Sequence, residues 1–203
     1  MSKTLSLIIS APSGAGKTTI IRRLMDENPL LAFSVSTTTR KMREGEIEGD
    51  SYYYTDHETF QRMVDAGEFV EWAKVHTNFY GTAKKEVDRI RAAGKIPVFD
   101  VDVQGARNLR DNIDDAVLIF ILPPSIDSLV ERLRHRNTES EEELAIRIDN
   151  AIRELREYRN YDYFVINDRL EEAIADTRSV IRAELLRRDR MIDKVGAILE
   201  EQK

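Results

Sequence analysis

The chain has 203 residues, 41% hydrophobic and 33% charged, the profile of one globular domain with its own core and room for small inserted lobes. It contains no cysteine, which excludes disulfides and cysteine-based metal sites. The net charge of −6 speaks against bulk nucleic-acid binding, and the first apolar run, residues 5–10, is too short for a signal-peptide core or a membrane span, so a cytoplasmic protein with no nucleic-acid or membrane partner is expected.

In chain order, residues 5–10 read as a buried strand and residues 17–27 as a helix with Ile20, Ile21 and Leu24 on its apolar side. From 34 to 82 the rhythm changes to short strands and turns. Residues 51–55 and 68–75 are rich in aromatic and β-branched side chains, with a helix between them that starts at Thr55 and takes Glu58 as its capping partner. Residues 96–101 and 117–122 are further buried strands, the second ended by Pro123 and Pro124. Residues 125–136 carry Ile126, Leu129, Val130 and Leu133 at helical spacing. The polar stretch 135–143 reads as a mobile flap or a solvated loop, with Ser140 and Glu143 placed as a capping box for the next helix. After a short strand at 163–166, Asp168 and Glu171 form a capping box for a long helix with Leu170, Ile174, Thr177, Ile181 and Leu185 on its inner stripe. In the charged tail, 187–203, Met191, Ile192, Val195, Ile198 and Leu199 are spaced to cover an apolar surface, expected to be the chain's own core. Short apolar runs alternating with amphipathic helices predict an α/β core with a parallel sheet, carrying a small inserted mixed-β lobe.

The strongest local signal is Ala11-Pro-Ser-Gly-Ala-Gly-Lys-Thr18, which matches the phosphate-binding loop G-x-x-x-x-G-K-[ST] except for Ala11 at its first position. A buried strand precedes it and a helix follows. Gly14 and Gly16 let the backbone turn its N–H groups around phosphate oxygens, with Ser13, Ala15 and Thr19 completing the loop. The helix N-terminus adds partial positive charge. Lys17 can reach the β- and γ-phosphates, and the Thr18 hydroxyl can ligate Mg²⁺. The motif specifies a nucleoside triphosphate and nothing finer.

Further marks run along nearly the whole chain, about residues 5–182: Phe33-Ser-Val-Ser-Thr-Thr-Thr-Arg40 with Arg43 and Gly45-Glu46, Glu68-Phe-Val-Glu-Trp72, Asn78-Phe-Tyr-Gly-Thr82, Asp100-Val-Asp-Val-Gln-Gly105, and the segment from Arg132 through Arg147. Together they resemble the guanylate kinase family. The resemblance implies a three-layer α/β/α core of 1–33, 83–135 and 148–203, a GMP-binding lobe at 34–82 and a helical lid at 136–147. It implies transfer of the γ-phosphoryl group of ATP to GMP, giving ADP and GDP, with Mg²⁺ as the metal.

The residues suit those roles. Arg40, Arg43, Tyr52 and Tyr80 offer two guanidinium forks and two phenolic donors to a phosphate monoester. A carboxylate at Glu71 would accept from guanine N1–H and N2–H₂, a pair adenine lacks. Strand alternation by itself would point Glu71 outward, so its role rests on the resemblance. Ser36, Gly81 and Thr82 are implied beside the base. Asp100, at a strand end, is expected near GMP, or near Mg²⁺ through water. Asp102 is open between a functional and a structural role. Arg136 and Arg147 would meet the transferring phosphoryl group, with Arg132 and Asn167 on the adenine side; the alternative for Arg132 and Arg136 is pairing with Glu131, Glu139 or Glu141 on helix faces. Met42 and Glu44 stand where the family often carries prolines, Phe79 where Tyr is common and Ala83 where Pro is common, departures that bear on loop stiffness.

The acceptor is already anionic, so the chemistry implied is positioning and charge stabilisation by Lys17, Arg40, Arg43, Arg136 and Arg147, with no general base. Competing readings are a sugar-phosphate kinase, which would lack Glu71 and Tyr80-Gly81-Thr82; a GTPase, for which Asp102-Val-Gln-Gly105 fits but no N-K-x-D motif exists; and a non-catalytic interaction module, which would lack Lys17 and the lid arginines. Monomer and homo-oligomer remain equally open.

Overall fold

The computed structural model describes residues 4–75, 77–134 and 141–200. Strand β1 (Ser6–Ser10) is buried along its whole length, as its unbroken Leu-Ile-Ile run requires when both faces are covered. It is the central strand of a five-stranded sheet. On one side lie β7 (Ile96–Asp100) and then β2 (Leu31–Phe33); on the other lie β8 (Ala116–Leu122) and then β9 (Tyr163–Ile166). Every pairing is parallel.

Alternation along β1 divides the core in two. Leu7 and Ile9 pack with Ile20, Ile21 and Leu24 of α1 (Lys17–Glu27) and with Ala173, Ile174 and Ile181 of α7 (Leu170–Leu185). Ile8 faces the other way, into Val87 of α3 (Lys84–Ala92) and Ala106 and Leu109 of α4 (Val103–Asn112). The expected three-layer α/β/α core is present. Helices α5 (Ile126–Arg134) and α6 (Glu141–Leu155) form a satellite cluster around Leu129, Leu133 and Ala151.

A second sheet has the order β4 (Tyr53–Tyr54), β3 (Thr37–Thr38), β6 (Asn78–Ala83), β5 (Phe69–Val75). Phe60 of α2 (His57–Asp65) stacks on Phe69 and Phe79, giving this sheet a small aromatic core of its own.

Several boundaries depart from the sequence reading. Helix α2 begins one residue later than expected: Thr55 still donates its N–H to Thr38, and Asp56 becomes the cap, accepting the Thr59 N–H at 2.6 Å. Asp168 does not cap α7. The cap position falls on Arg169, which makes no side-chain cap bond, and Glu171 turns instead to Arg23. The strand end holds the chain extended one residue further, since Asn167 donates its N–H to Leu122. The tail forms α8 (Arg188–Glu200), but no residue of it is buried, and Ile192, Val195, Ile198 and Leu199 are exposed. Arg190, bonded to Glu184 and to the Thr4 carbonyl, ties down its first turn. The expected Ser140 cap lies outside the described residues. No described helix is long and apolar enough to cross a membrane.

Candidate active site

The loop after β1 ends at Gly16, whose φ of 92° is a left-handed conformation that suits glycine. A Cβ there would stand 2.3 Å from Asn167 Nδ2, which donates to the Ala15 carbonyl at 2.7 Å. Asn167 thus buttresses the loop from beneath, and Arg132 in turn donates to the Asn167 carbonyl at 2.8 Å. Arg132 is therefore directed at Asn167 rather than along its own helix face. We expect Gly16→Ala to weaken ATP binding by about tenfold or more, since a left-handed alanine costs about 1–2 kcal/mol before the clash is counted. Titration calorimetry checks this, with GMP binding as the control that should hardly move.

Helix α1 has neither a capping side chain nor an acidic residue in its first turn. Helices α2 and α4 are capped by Asp56 and Asp102. The first-turn N–H groups of α1 are thus left for an anion. They line a cavity of about 310 Å³ with Ser13, Gly14, Lys17, Thr18 and Thr19. Two side chains of α6, seven residues apart and so on one face, converge on Ser13. Arg147 donates to its hydroxyl at 3.1 Å, and Glu154 accepts its backbone N–H at 3.2 Å. Burial raises the Glu154 pKa above the ordinary carboxylate value, the Ser13 hydrogen bond opposing it. Glu154 carries no motif, and sequence reasoning missed it.

Lys17 bridges toward a second cavity. Its ammonium lies 2.7 Å from the Asp100 carboxylate and donates to the Val101 carbonyl at 2.6 Å. Asp100 ends β7, at the carboxyl edge of the sheet where ligand groups gather in such folds. It lines a cavity of about 270 Å³ with Ser36, Tyr52, Glu71, Tyr80 and Asp102. Asp102 lines both cavities while capping α4 through the Gly105 N–H at 2.8 Å, so it has a structural duty in any case. Larger grooves, of about 670 and 430 Å³, lie at the opposite, amino-terminal ends of β1 and β8 around Asp115, away from the phosphate loop.

Glu71 faces inward, not outward as expected. It is 8% exposed while Trp72 is 42% exposed, and the ladder slips register between Phe69 and Glu71. The Thr82 hydroxyl donates to Glu71 Oε1 at 2.9 Å from the paired strand. Burial pushes the Glu71 carboxyl up from 4.5 to about 7, the Thr82 hydrogen bond working against it. Gly81 is required by packing: a Cβ there would meet Phe69 and the Trp72 Cβ at 2.9 Å. At the cavity rim Arg40 is bound by Glu46 and stacks over Tyr52, 5.3 Å from its ring centre. Arg43 is exposed. Arg136 lies outside the described residues.

A phosphate loop on a parallel sheet, facing a second cavity with a buried carboxylate, places this chain among the P-loop enzymes that act on nucleotides. A family model described as guanylate kinase matches residues 3–184. The chain is 48% identical to a guanylate kinase of Geobacter sulfurreducens, with 94% of each covered, and 45% identical to one of Agrobacterium fabrum, with 98% of this chain and 92% of the relative covered. It also superposes on the crystal structure of guanylate kinase from Anaplasma phagocytophilum with a TM-score of 0.74 at 32% identity, covering 94% of this chain and 90% of that one. The chain belongs to the guanylate kinase family and is a kinase.

Proposed function

We infer that this chain transfers the γ-phosphoryl group of ATP to GMP, giving ADP and GDP, with the 34–82 segment as its GMP lobe, 136–147 as its lid and the cytoplasm as its place of work. The observation that carries the reading is the pair of adjoining cavities, one built on the phosphate loop and one on buried Glu71, with Lys17 and Asp100 joined across their boundary at 2.7 Å.

In the first cavity, the loop N–H groups of residues 13–19 and Lys17 take the ATP phosphates, while Arg132 and Asn167 lie on the adenine side. In the second, Glu71 accepts from guanine N1–H and N2–H₂. Thr82 and Ser36 flank the base, with Gly81 giving the backbone room, and Arg40, Arg43, Tyr52 and Tyr80 hold the GMP phosphate. A GMP phosphate oxygen then attacks the γ-phosphorus in line, and the bond to the bridging oxygen of ADP breaks. The acceptor oxygen needs no base to activate it. The obstacle is the mutual repulsion of two polyanions, which Lys17 and the arginines offset in a site closed to water. Arg136 and Arg147 are the lid's contribution to that charge.

Thr18 and Asp100 fit Mg²⁺ in that both offer hard oxygen donors beside the phosphate loop. Among the described residues no three His, Cys, Asp or Glu side chains gather to cage an ion, which suits a metal carried mainly by ATP phosphates and water. When bound, Mg²⁺ neutralises charge on the β- and γ-oxygens.

The test is ADP release with ATP, Mg²⁺ and each of GMP, AMP, CMP and UMP. Turnover with GMP at least about 10³-fold above the others is expected for a site that hydrogen-bonds its base. Equal rates, or none despite ATP binding, would sink the reading.

A further inference from the structure

The loop between β3 and β4 holds a contact that the reaction does not by itself require. Glu46 accepts four hydrogen bonds. Arg40 Nη2 donates to Oε1 at 2.6 Å and Arg40 Nη1 to Oε2 at 3.0 Å. The Arg43 backbone N–H donates to Oε2 at 2.7 Å, and so does the Tyr54 hydroxyl, at 2.7 Å. Arg40 Nη1 also donates to the Lys41 carbonyl at 2.7 Å, and its guanidinium lies over the rings of Tyr52 and Tyr54. The arginine's backbone is fixed as well, its N–H donating to the Thr38 hydroxyl.

We propose that Glu46, braced by the Tyr54 hydroxyl, is the positioning residue for the GMP phosphate site: it sets the Arg40 fork and the Arg43 backbone in their binding geometry before GMP arrives. This rests on the reading of Arg40 as a phosphate ligand. A guanidinium has five N–H donors. Glu46 and Lys41 use three of them, and the Nη2 and Nε hydrogens outside that pair are the donors left to Tyr80, which also hydrogen-bonds this guanidinium, and to a ligand. The carboxylate therefore grips one edge of the fork and leaves another. A free arginine would have to be ordered by the ligand, so holding it in advance favours binding. Glu46 is set to do this at all working pH values, because the hydrogen bonds from Arg40, and then from Arg43 and Tyr54, hold its carboxyl down to about 2.

The opposite sign is physically possible: a carboxylate beside a phosphate site repels the ligand and competes for the same arginine. The geometry decides between them. Four donors surround the two oxygens, so the carboxylate's charge is directed into the loop. The Tyr54 hydroxyl and the Arg43 N–H have no role in mere competition.

The experiment is steady-state kinetics of Tyr54→Phe, Glu46→Gln, Arg40→Met and the Arg40→Met/Glu46→Gln double variant, with thermal unfolding of each. Glu46→Gln is expected to raise KM for GMP by about 30-fold or more, the scale of a ligand group misplaced by an ångström, with KM for ATP unchanged. Tyr54→Phe, which removes one hydroxyl and keeps the ring, is expected to raise KM for GMP by about fivefold, the size of one charged hydrogen bond partly lost. In the Arg40→Met background Glu46→Gln should add less than about twofold, since it acts through that arginine. An unchanged or lowered KM for GMP in Glu46→Gln overturns the proposal while Arg40 stands. Should Glu46→Gln not fold, an unchanged KM in Tyr54→Phe overturns it equally. If Arg40→Met leaves KM for GMP unchanged, it is the Arg40 reading that fails.

Discussion

Replacing Lys17 by Met is expected to lower kcat by about 10³-fold, the loss seen when a charge-stabilising donor aimed at a transferring phosphoryl group is removed. The stability of the fold should change by about 1 kcal/mol at most, because the Lys17–Asp100 pair is partly exposed, 19% and 22%, and such pairs contribute little. The two effects separate the roles. A lysine needed only to hold Asp100 in place would show up in unfolding and spare turnover. ADP release at saturating ATP and GMP, beside denaturant unfolding, decides it, and a loss smaller than about tenfold would remove Lys17 from the chemistry. The ammonium bonds Asp100 and the Val101 carbonyl, groups at the edge of the second cavity.

The parts of this site that lie within one segment were legible from the residues themselves; those on different strands were named only through the resemblance, and the contacts between them were not legible. Ala11 to Thr18 could be read directly, because the loop, the preceding strand and the following helix are one continuous unit. The pairing of Glu71 with Thr82 could not. It depends on a register slip between Phe69 and Glu71 that sets Glu71 opposite Thr82 on the paired strand. The contact of Lys17 with Asp100 depends on β1 and β7 being neighbours, which parallel topology sets and local pattern does not. Glu154 was invisible for the same reason, being an ordinary helix residue until α6 lays it against Ser13. Helix caps failed by one residue at Thr55 and at Asp168, where strand hydrogen bonds outlast the propensity of the next turn. The apolar stripe of α8 was read correctly as a stripe and wrongly as buried, since periodicity says which side is apolar and not what covers it.

Glu71→Gln is expected to have two opposite effects. For GMP, kcat/KM should fall by about 10²-fold or more, because on the proposed reading the amide keeps one acceptor oxygen but sets its NH₂ against the second guanine donor, which is left unpaired. For AMP the amide is the better match, so the preference for GMP should narrow further still. Stability moves the other way. The carboxyl has its pKa raised from 4.5 to about 7 by burial, so the folded state resists ionisation that the unfolded chain accepts. Its penalty is absent below 4.5, grows through the interval and is complete above about 7, where it amounts to about 3 kcal/mol. A neutral glutamine avoids it. In denaturant unfolding without ligand, Glu71→Gln should therefore be the more stable protein at pH 8, and the gain should shrink to about 0.5 kcal/mol near pH 4.5. On the proposed reading the same ionisation should govern recognition, since only a carboxylate accepts both guanine donors. In the wild-type chain kcat/KM for GMP should fall as pH drops through about 7. The GMP phosphate titrates near pH 6 and adds its own decline. The glutamine variant isolates that share, because it keeps the phosphate's titration and loses the one at Glu71. If both proteins give one pH profile and one stability difference at every pH, Glu71 is not the base-reading carboxylate.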